Sequence, residues 1–213
     1  MTTILAVDTA LAACSVAIQD DDDVLAHIYE PMERGHAEAL APMVEDAMRQ
    51  AELAFAALDR LAVTTGPGTF TGQRVGLAFM RGLRVALHKP LAGVTTLAAM
   101  LAQARAETGL DVAAALHDAR RDEVYFQTSA MDAPSLLGFD QALEALIRID
   151  GPLALAGTAA PKAAGHLANA VLSDVRLPDA LWVARLALAM PASETAPRPL
   201  YLRAPDAKLP GQK

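Results

Sequence analysis

Apolar residues alternate with polar ones over the first thirty positions and then recur three and four apart, so the chain opens with strands and continues into helices. Thr3 to Val7, Cys14 to Gln19 and Val24 to Tyr29 read as strands, and Asp20-Asp21-Asp22-Asp23 as a polar turn; together they predict an antiparallel meander. From Glu33 to Leu53, Ala37, Leu40, Ala41, Val44, Ala47, Met48 and Ala51 fall on one helical face, with Pro42 tolerable only near the start or as a kink. Leu61 to Thr65 is a short strand, Val75 to Leu87 a second helix closed by His88-Lys89-Pro90, Leu91 to Val94 a strand and Thr95 to Glu107 a third helix. A boundary at Thr108-Gly109 precedes strands Val112 to Leu116 and Glu123 to Thr128, a weaker helix at Asp140 to Ile147, a strand at Leu153 to Ala156, and helices near Ala160 to Ala168 and at Ala180 to Ala189. Pro191, Pro197, Pro199, Pro205 and Pro210 make the tail extended. The order permits two lobes of βββαβα kind, the second degraded.

Between the strand and the second helix lies Thr64-Thr65-Gly66-Pro67-Gly68-Thr69-Phe70-Thr71-Gly72-Gln73-Arg74-Val75-Gly76-Leu77. Gly66 and Gly68 open backbone angles closed to other residues, and Thr69 or Thr71 can cap the helix. Free amides at such a helix start suit a phosphate, yet the same geometry simply joins a strand to a helix. The G-x-x-x-x-G-K-[S/T] pattern is absent, since Gln73 and Arg74 follow Gly72. Asp8-Thr9, ending the first strand, could hold a magnesium-bound water or cap a turn. Glycines at 72, 76 and 82 each weaken an isolated helix by about 1 kcal/mol relative to alanine. They therefore call for close approach of another backbone, the chain's own or a partner's.

A formal charge of -7 and a pI near 5.2 argue against a nucleic-acid binder that works by its overall field. Near the C-terminus Arg198, Arg203, Lys208 and Lys213 outnumber Asp206, which suits an acidic partner or a solvated tail. A single cysteine, Cys14, excludes an internal disulfide and fits a reducing compartment, and no greasy run reaches membrane length, so a cytoplasmic protein without membrane contact is expected. The five histidines form no H-x-x-x-H or H-E-x-x-H pair, and no serine stands in G-x-S-x-G. Asp118, Arg120, Arg121, Asp122 and Glu123 alternate in sign, so they can pair among themselves or meet a polar partner.

Ile4 to Thr9 with Cys14 to Ala17, His36 to Pro42, Gly66 to Leu77, Asp118 to Tyr125 and Pro199 to Arg203 together resemble the TsaB (YeaZ) family, which serves bacterial synthesis of threonylcarbamoyladenosine (t6A) in tRNA. The resemblance implies an α/β fold of the actin, Hsp70 and sugar-kinase (ASKHA) type. Its two lobes would be residues 1–108, joined by 178–213, and residues 109–177. It also implies a non-catalytic subunit that pairs with the catalytic paralogue TsaD, is joined by the ATPase TsaE, forms a homodimer when alone, and meets tRNA only through the complex. On this resemblance the interface comprises Leu40, Val44, Met48, Gly72, Gly76, Phe79 and Met80, with His36 and Arg74 at its polar edge. Asp8, Thr9, Gly66 and Gly68 become vestigial phosphate loops, with no metal or cofactor held by this chain alone and ATP, magnesium and a metal left to the partners. Thr96 and Met100 align with the paralogue's two metal-binding histidines, which neither can replace. An ATP-dependent phosphotransferase using Asp8 and the glycine loop is the alternative. A peptidase lacks a visible nucleophile or metal pair.

Overall fold

The computed structural model describes residues 1–193 and 195–203. The predicted meander is present as β1 (Thr3–Asp8), β2 (Ala13–Asp20) and β3 (Asp23–Pro31), antiparallel in sequence and closed by a tight turn in which Asp21 has φ 47°. The first half continues with α1 (His36–Gln50), β4 (Arg60–Thr64), α2 (Phe70–Leu87), β5 (Leu91–Val94) and α3 (Thr96–Thr108). β4 pairs parallel to β1 and β5 to β4, which gives the order β3-β2-β1-β4-β5. The second half comprises β6 (Ala113–Asp118), β7 (Glu123–Thr128), β8 (Ser135–Gly138), α4 (Phe139–Ile147), β9 (Leu153–Ala156), α5 (Ala160–Ala164), β10 (Ala170–Leu172) and α6 (Ala180–Ala189). Its sheet order, β10-β9-β6-β7-β8, repeats that of the first half element for element.

Three expectations need correction. The helix read from Glu33 to Leu53 spans only His36–Gln50, because Gly35 enters it in a left-handed conformation at φ 90°. The helix read near Ala160 to Ala168 stops at Ala164, where Gly165 ends it. Strands β8 and β10 went unread, since four and three residues at partly exposed positions are too short to establish a period of two.

Side-chain size separates the two faces of each sheet. On the first, Leu5, Val7, Val16, Ile18, Leu61 and Val63 point outward to α1 and α2, whereas Ile4, Ala6, Ala17, Ala62 and Ala92 point inward. On the second, Leu116, Leu153 and Leu155 point out toward α4 and α5, and Ala113, Ala115, Ala154 and Ala156 point in. Alanine on the inner faces lets a helix approach closely, and the occupants are exchanged. Leu97, Met100, Leu101 and Ala104 of α3 pack on the second sheet, while Ala180, Val183, Ala184 and Ala187 of α6 pack on the first.

The glycines of α2 also divide by environment. A Cβ on Gly76 would come within 2.6 Å of Thr9 Oγ1 and 3.3 Å of Val63 Cγ2, and one on Gly72 would strike the Thr9 carbonyl; one on Gly82 would meet nothing within 4 Å. Both Gly76→Ala and Gly82→Ala gain helix propensity worth about 1 kcal/mol. Chemical denaturation is therefore expected to find Gly82→Ala about 1 kcal/mol more stable than the wild type, and Gly76→Ala about 1–3 kcal/mol less stable because of overpacking.

Candidate functional site

The C-terminal ends of β1 and β4 meet the start of α2 beneath a cleft between the lobes of about 620 Å³, lined among others by Leu11, Arg34, Gly68, Gln73, His117 and Arg203. α2 starts where it does because the Thr69 side chain accepts the Gly72 amide at 3.1 Å. Thr9 then fixes its position. Its hydroxyl donates to the Gly72 carbonyl at 2.7 Å and accepts from the Gly76 amide at 3.0 Å, the two groups that a regular helix joins to each other. Gly72 and Gly76 are thus required by the chain's own β1–β2 connection.

Asp8 lies beside this joint and is fully buried. Its Oδ1 accepts the Thr64 hydroxyl at 2.6 Å and the Ala10 amide at 3.2 Å, and its Oδ2 has no partner. Burial raises the carboxyl to about 7, against the lowering effect of the Thr64 and Ala10 hydrogen bonds. Cys14, also buried, has its thiol pushed up to about 12 by desolvation and by Asp8, which leaves it unreactive.

Of the four residues assigned to vestigial phosphate loops, Asp8 and Thr9 have their side chains engaged within the chain and Gly66 and Gly68 are closely packed. One oxygen of Asp8 is committed to hydrogen bonds and the group is largely uncharged below neutral pH; the Thr9 hydroxyl serves α2. A Cβ on Gly68 would strike the Ala10 carbonyl, so that glycine is needed for internal packing. The Gln73 amide lies over Gly66, where a Cβ would be 2.6 Å from its Cδ. The positions aligned with metal-binding histidines are interior as well: Thr96 and Met100 are both fully buried, and Met100 packs with Leu97, Leu101 and Ala113.

The expected interface residues are not brought to the surface. Leu40, Val44, Met48 and Met80 are buried in the core beneath α1 and α2, Phe79 is half-buried against it, and Gly72 and Gly76 face Thr9. His36 is no edge residue either, since its buried ring donates from Nε2 to the Leu11 carbonyl at 2.9 Å. Only Arg74 of that set is exposed. The physical reason is that the helical spacing which singles out Leu40, Val44, Met48 and Met80 marks the face that covers the chain's own sheet. The opposite face carries Ala37, Ala41, Pro42 and Glu45 on α1, and Thr71, Arg74, Ala78, Gly82, Val85 and Ala86 on α2, all exposed. Val85 is 67% exposed.

Across the cleft, His117 is buried, and desolvation lowers it to about 4. The Thr158 hydroxyl accepts the Asp118 amide at 2.9 Å and lies 3.3 Å from His117 Nδ1, so this neutral imidazole joins β6 to the segment after β9. The charged turn does not simply pair within itself. The Asp118 carboxylate accepts the Arg120 amide at 2.8 Å, while Glu123 pairs with Arg203 of the tail. Arg120, Arg121 and Asp122 have φ of 65°, 57° and 56°, three successive left-handed residues with no glycine among them. Nothing in their side chains announced this. Phe70 and Tyr201 stack at 5.6 Å with Arg74 over the Phe70 ring, a contact that the charge bias of the tail does not signal. Lys208, Lys213 and Asp206 lie outside the described residues.

The buried groups set opposing pH dependences. Asp8 is raised above its unfolded value near 3.8, so its contribution to stability is full below that value and is lost as pH rises through about 7. His117 is lowered, so its contribution is present above 6.5 and lost as pH falls through about 4. Asp8→Asn keeps an acceptor for Thr64 and Ala10 without the buried charge. Its melting temperature is expected to match the wild type near pH 4 and exceed it by about 5 °C or more at pH 8, with the acid limb due to His117 retained; thermal melts across that range check this.

The match to the family described as TsaD, tRNA N6-adenosine threonylcarbamoyltransferase, covers residues 23–207. TsaB of Escherichia coli, a tRNA threonylcarbamoyladenosine biosynthesis protein, is 40% identical over 123 residues, or 58% of this chain and 53% of that protein, so the match spans about half the length of this curated relative. An uncharacterised protein of Mycobacterium bovis is 36% identical over 211 residues, covering 98% of this chain and 95% of its own. YeaZ from Pseudomonas aeruginosa superposes with a TM-score of 0.76 at 32% identity, covering 95% of this chain and 100% of that one. Component A of the (R)-2-hydroxyglutaryl-CoA dehydratase of Acidaminococcus fermentans, at 9% identity and TM-score 0.54 over 87% of this chain and 97% of its own, shares the fold alone. The paired five-stranded sheets fit the ASKHA fold, and no helix among the described residues is long and apolar enough to cross a membrane. With the family match over most of its length, and with close relatives in both sequence and structure, the chain belongs to the TsaB/YeaZ family, which takes part in the biosynthesis of threonylcarbamoyladenosine in tRNA.

Proposed function

We propose that this chain is a non-catalytic cytoplasmic subunit of the t6A machinery and works by docking the catalytic paralogue TsaD on the outer face of α1 and α2. The observation that carries this reading is Gly82. It sits inside an 18-residue helix at a cost of about 1 kcal/mol, and no atom of the described residues lies near enough to require a glycine there. Around it are Ala78, Val85 and Ala86, small apolar residues exposed to solvent on a long helix. Such a face admits close helix–helix packing, and two helices can supply the roughly 800 Å² per partner of an ordinary interface. The same face would pair two copies when the paralogue is absent.

The interior supports a division of labour. Asp8 and Thr9 are committed to holding α2, and the places aligned with the paralogue's histidines carry a threonine and a methionine. Nucleotide, magnesium and metal chemistry then belongs to TsaD and TsaE, and tRNA is met through the complex.

Gly82→Arg places a long charged side chain on the proposed face without touching the core. It is expected to weaken binding to TsaD at least 100-fold in titration calorimetry, about 2.7 kcal/mol or more, and to abolish t6A formation in an assay reconstituted with all subunits, while the melting temperature stays within a few degrees of wild type. Normal affinity of that variant for TsaD would refute the docking face.

A further inference from the structure

Residues 197–203 run along the first lobe and end on the second. Arg81 donates to the Pro197 carbonyl, Pro197 packs where a side chain on Gly93 would sit, and the Leu200 amide donates to the Thr65 carbonyl at 2.8 Å. Arg74 Nε donates to the Tyr201 hydroxyl at 2.8 Å, and the Tyr201 ring stacks on Phe70. Two residues on, Arg203 crosses the cleft. Its Nη1 donates to the Ala119 carbonyl at 2.7 Å, while its Nη2 reaches the Arg120 carbonyl at 3.5 Å and pairs with Glu123.

The receiving hairpin has an unusual backbone. Left-handed backbone disfavours every residue with a Cβ, and here three such residues follow one another. Within the hairpin the Asp118 carboxylate fixes the Arg120 amide, and the Ala119 and Glu123 amides close the turn on the Glu123 and Arg120 carbonyls at 2.9 and 3.1 Å. From outside, one planar guanidinium gathers two carbonyls and a carboxylate, a geometry that the single ammonium of lysine cannot reproduce. Strain persists where surrounding contacts over-determine it.

We propose that residues 197–203 form a releasable strap: Arg203 reaches across the cleft and holds the β6–β7 hairpin in its left-handed state, and the Arg74–Tyr201 contact ties that hold to the outer face of α2. This rests on the docking reading for its trigger. A partner that covers α2 and offers a carboxylate to Arg74 competes with Tyr201 and loosens the strap. The two states, strap seated and strap free, are biased from one site and read out at the other.

Amide hydrogen exchange on the full chain tests this. In Arg203→Ala the Ala119 and Glu123 amides are expected to exchange at least tenfold faster, while the slowest amides at the centres of β6 and β7 keep their wild-type rates. Unchanged exchange at 119 and 123, or an equal acceleration throughout β6 and β7, overturns the strap. In a second arm TsaD is added to the wild-type chain, with complex formation followed by gel filtration. The Leu200 and Glu123 amides are then expected to exchange at least threefold faster, and a formed complex with unchanged or slower exchange there overturns the link to α2. Absence of a complex would instead sink the docking reading, leaving Arg203→Ala to decide the strap by itself.

Discussion

Everything in this molecule depends on the exchange of two helices between its sheets. α3 follows the first sheet in sequence yet fills the inner face of the second, and α6 follows the second yet fills the inner face of the first. Neither sheet can shield that face with the elements of its own half, so the lobes are fixed to each other through a shared interior. The composition follows from this. Alanines at 6, 17, 62, 92, 113, 115, 154 and 156 line the inner faces because larger residues would push the crossing helices away. Since α3 starts with its Thr96 amide bonded to the Gly66 carbonyl, the helix that joins the lobes also anchors the floor of the cleft.

The glycine loop takes its meaning from the same constraint. A close join between β1, β4 and α2 requires glycine at 68, 72 and 76, where the Ala10 carbonyl and Thr9 pass, and requires an oxygen at Thr9 to satisfy a helix whose ladder it enters. A desolvated Asp8 belongs to that join. It is an internal junction, where one carboxylate oxygen gathers the Thr64 hydroxyl and the Ala10 amide.

Much of the fold could be read from the chain. The meander, α1 to α3, β6, β7 and α6 were marked by period, because each is long enough to repeat its pattern, whereas the four-residue β9 was marked by an unbroken apolar run. Strands of three or four residues at partly exposed positions, such as β8 and β10, are fixed by pairing with β7 and β9, which their own short rhythm cannot report. The expected interface residues on α1 and α2 lie inside for a physical reason. Apolar spacing on α1 and α2 identifies the face with the strongest demand for burial, and the chain itself meets that demand with Leu40, Val44 and Met80. What remains outside, beside Pro42, Glu45, Thr71 and Arg74, is alanine, Gly82 and Val85, residues too small to stand out by hydrophobicity but distinguishable once the environments of Gly76 and Gly82 are compared. The left-handed backbone of Arg120, Arg121 and Asp122 has no glycine to mark it in the sequence, and its contact with Arg203 comes from some eighty positions away.

The exchange of helices also governs how the chain emerges during synthesis. The first sheet is complete by Val94, but the helix that covers its inner face ends at Ala189. At ordinary elongation rates that face waits on the order of ten seconds for its cover. A surface of mostly alanine suits that interval, for it offers a nascent neighbour little to hold.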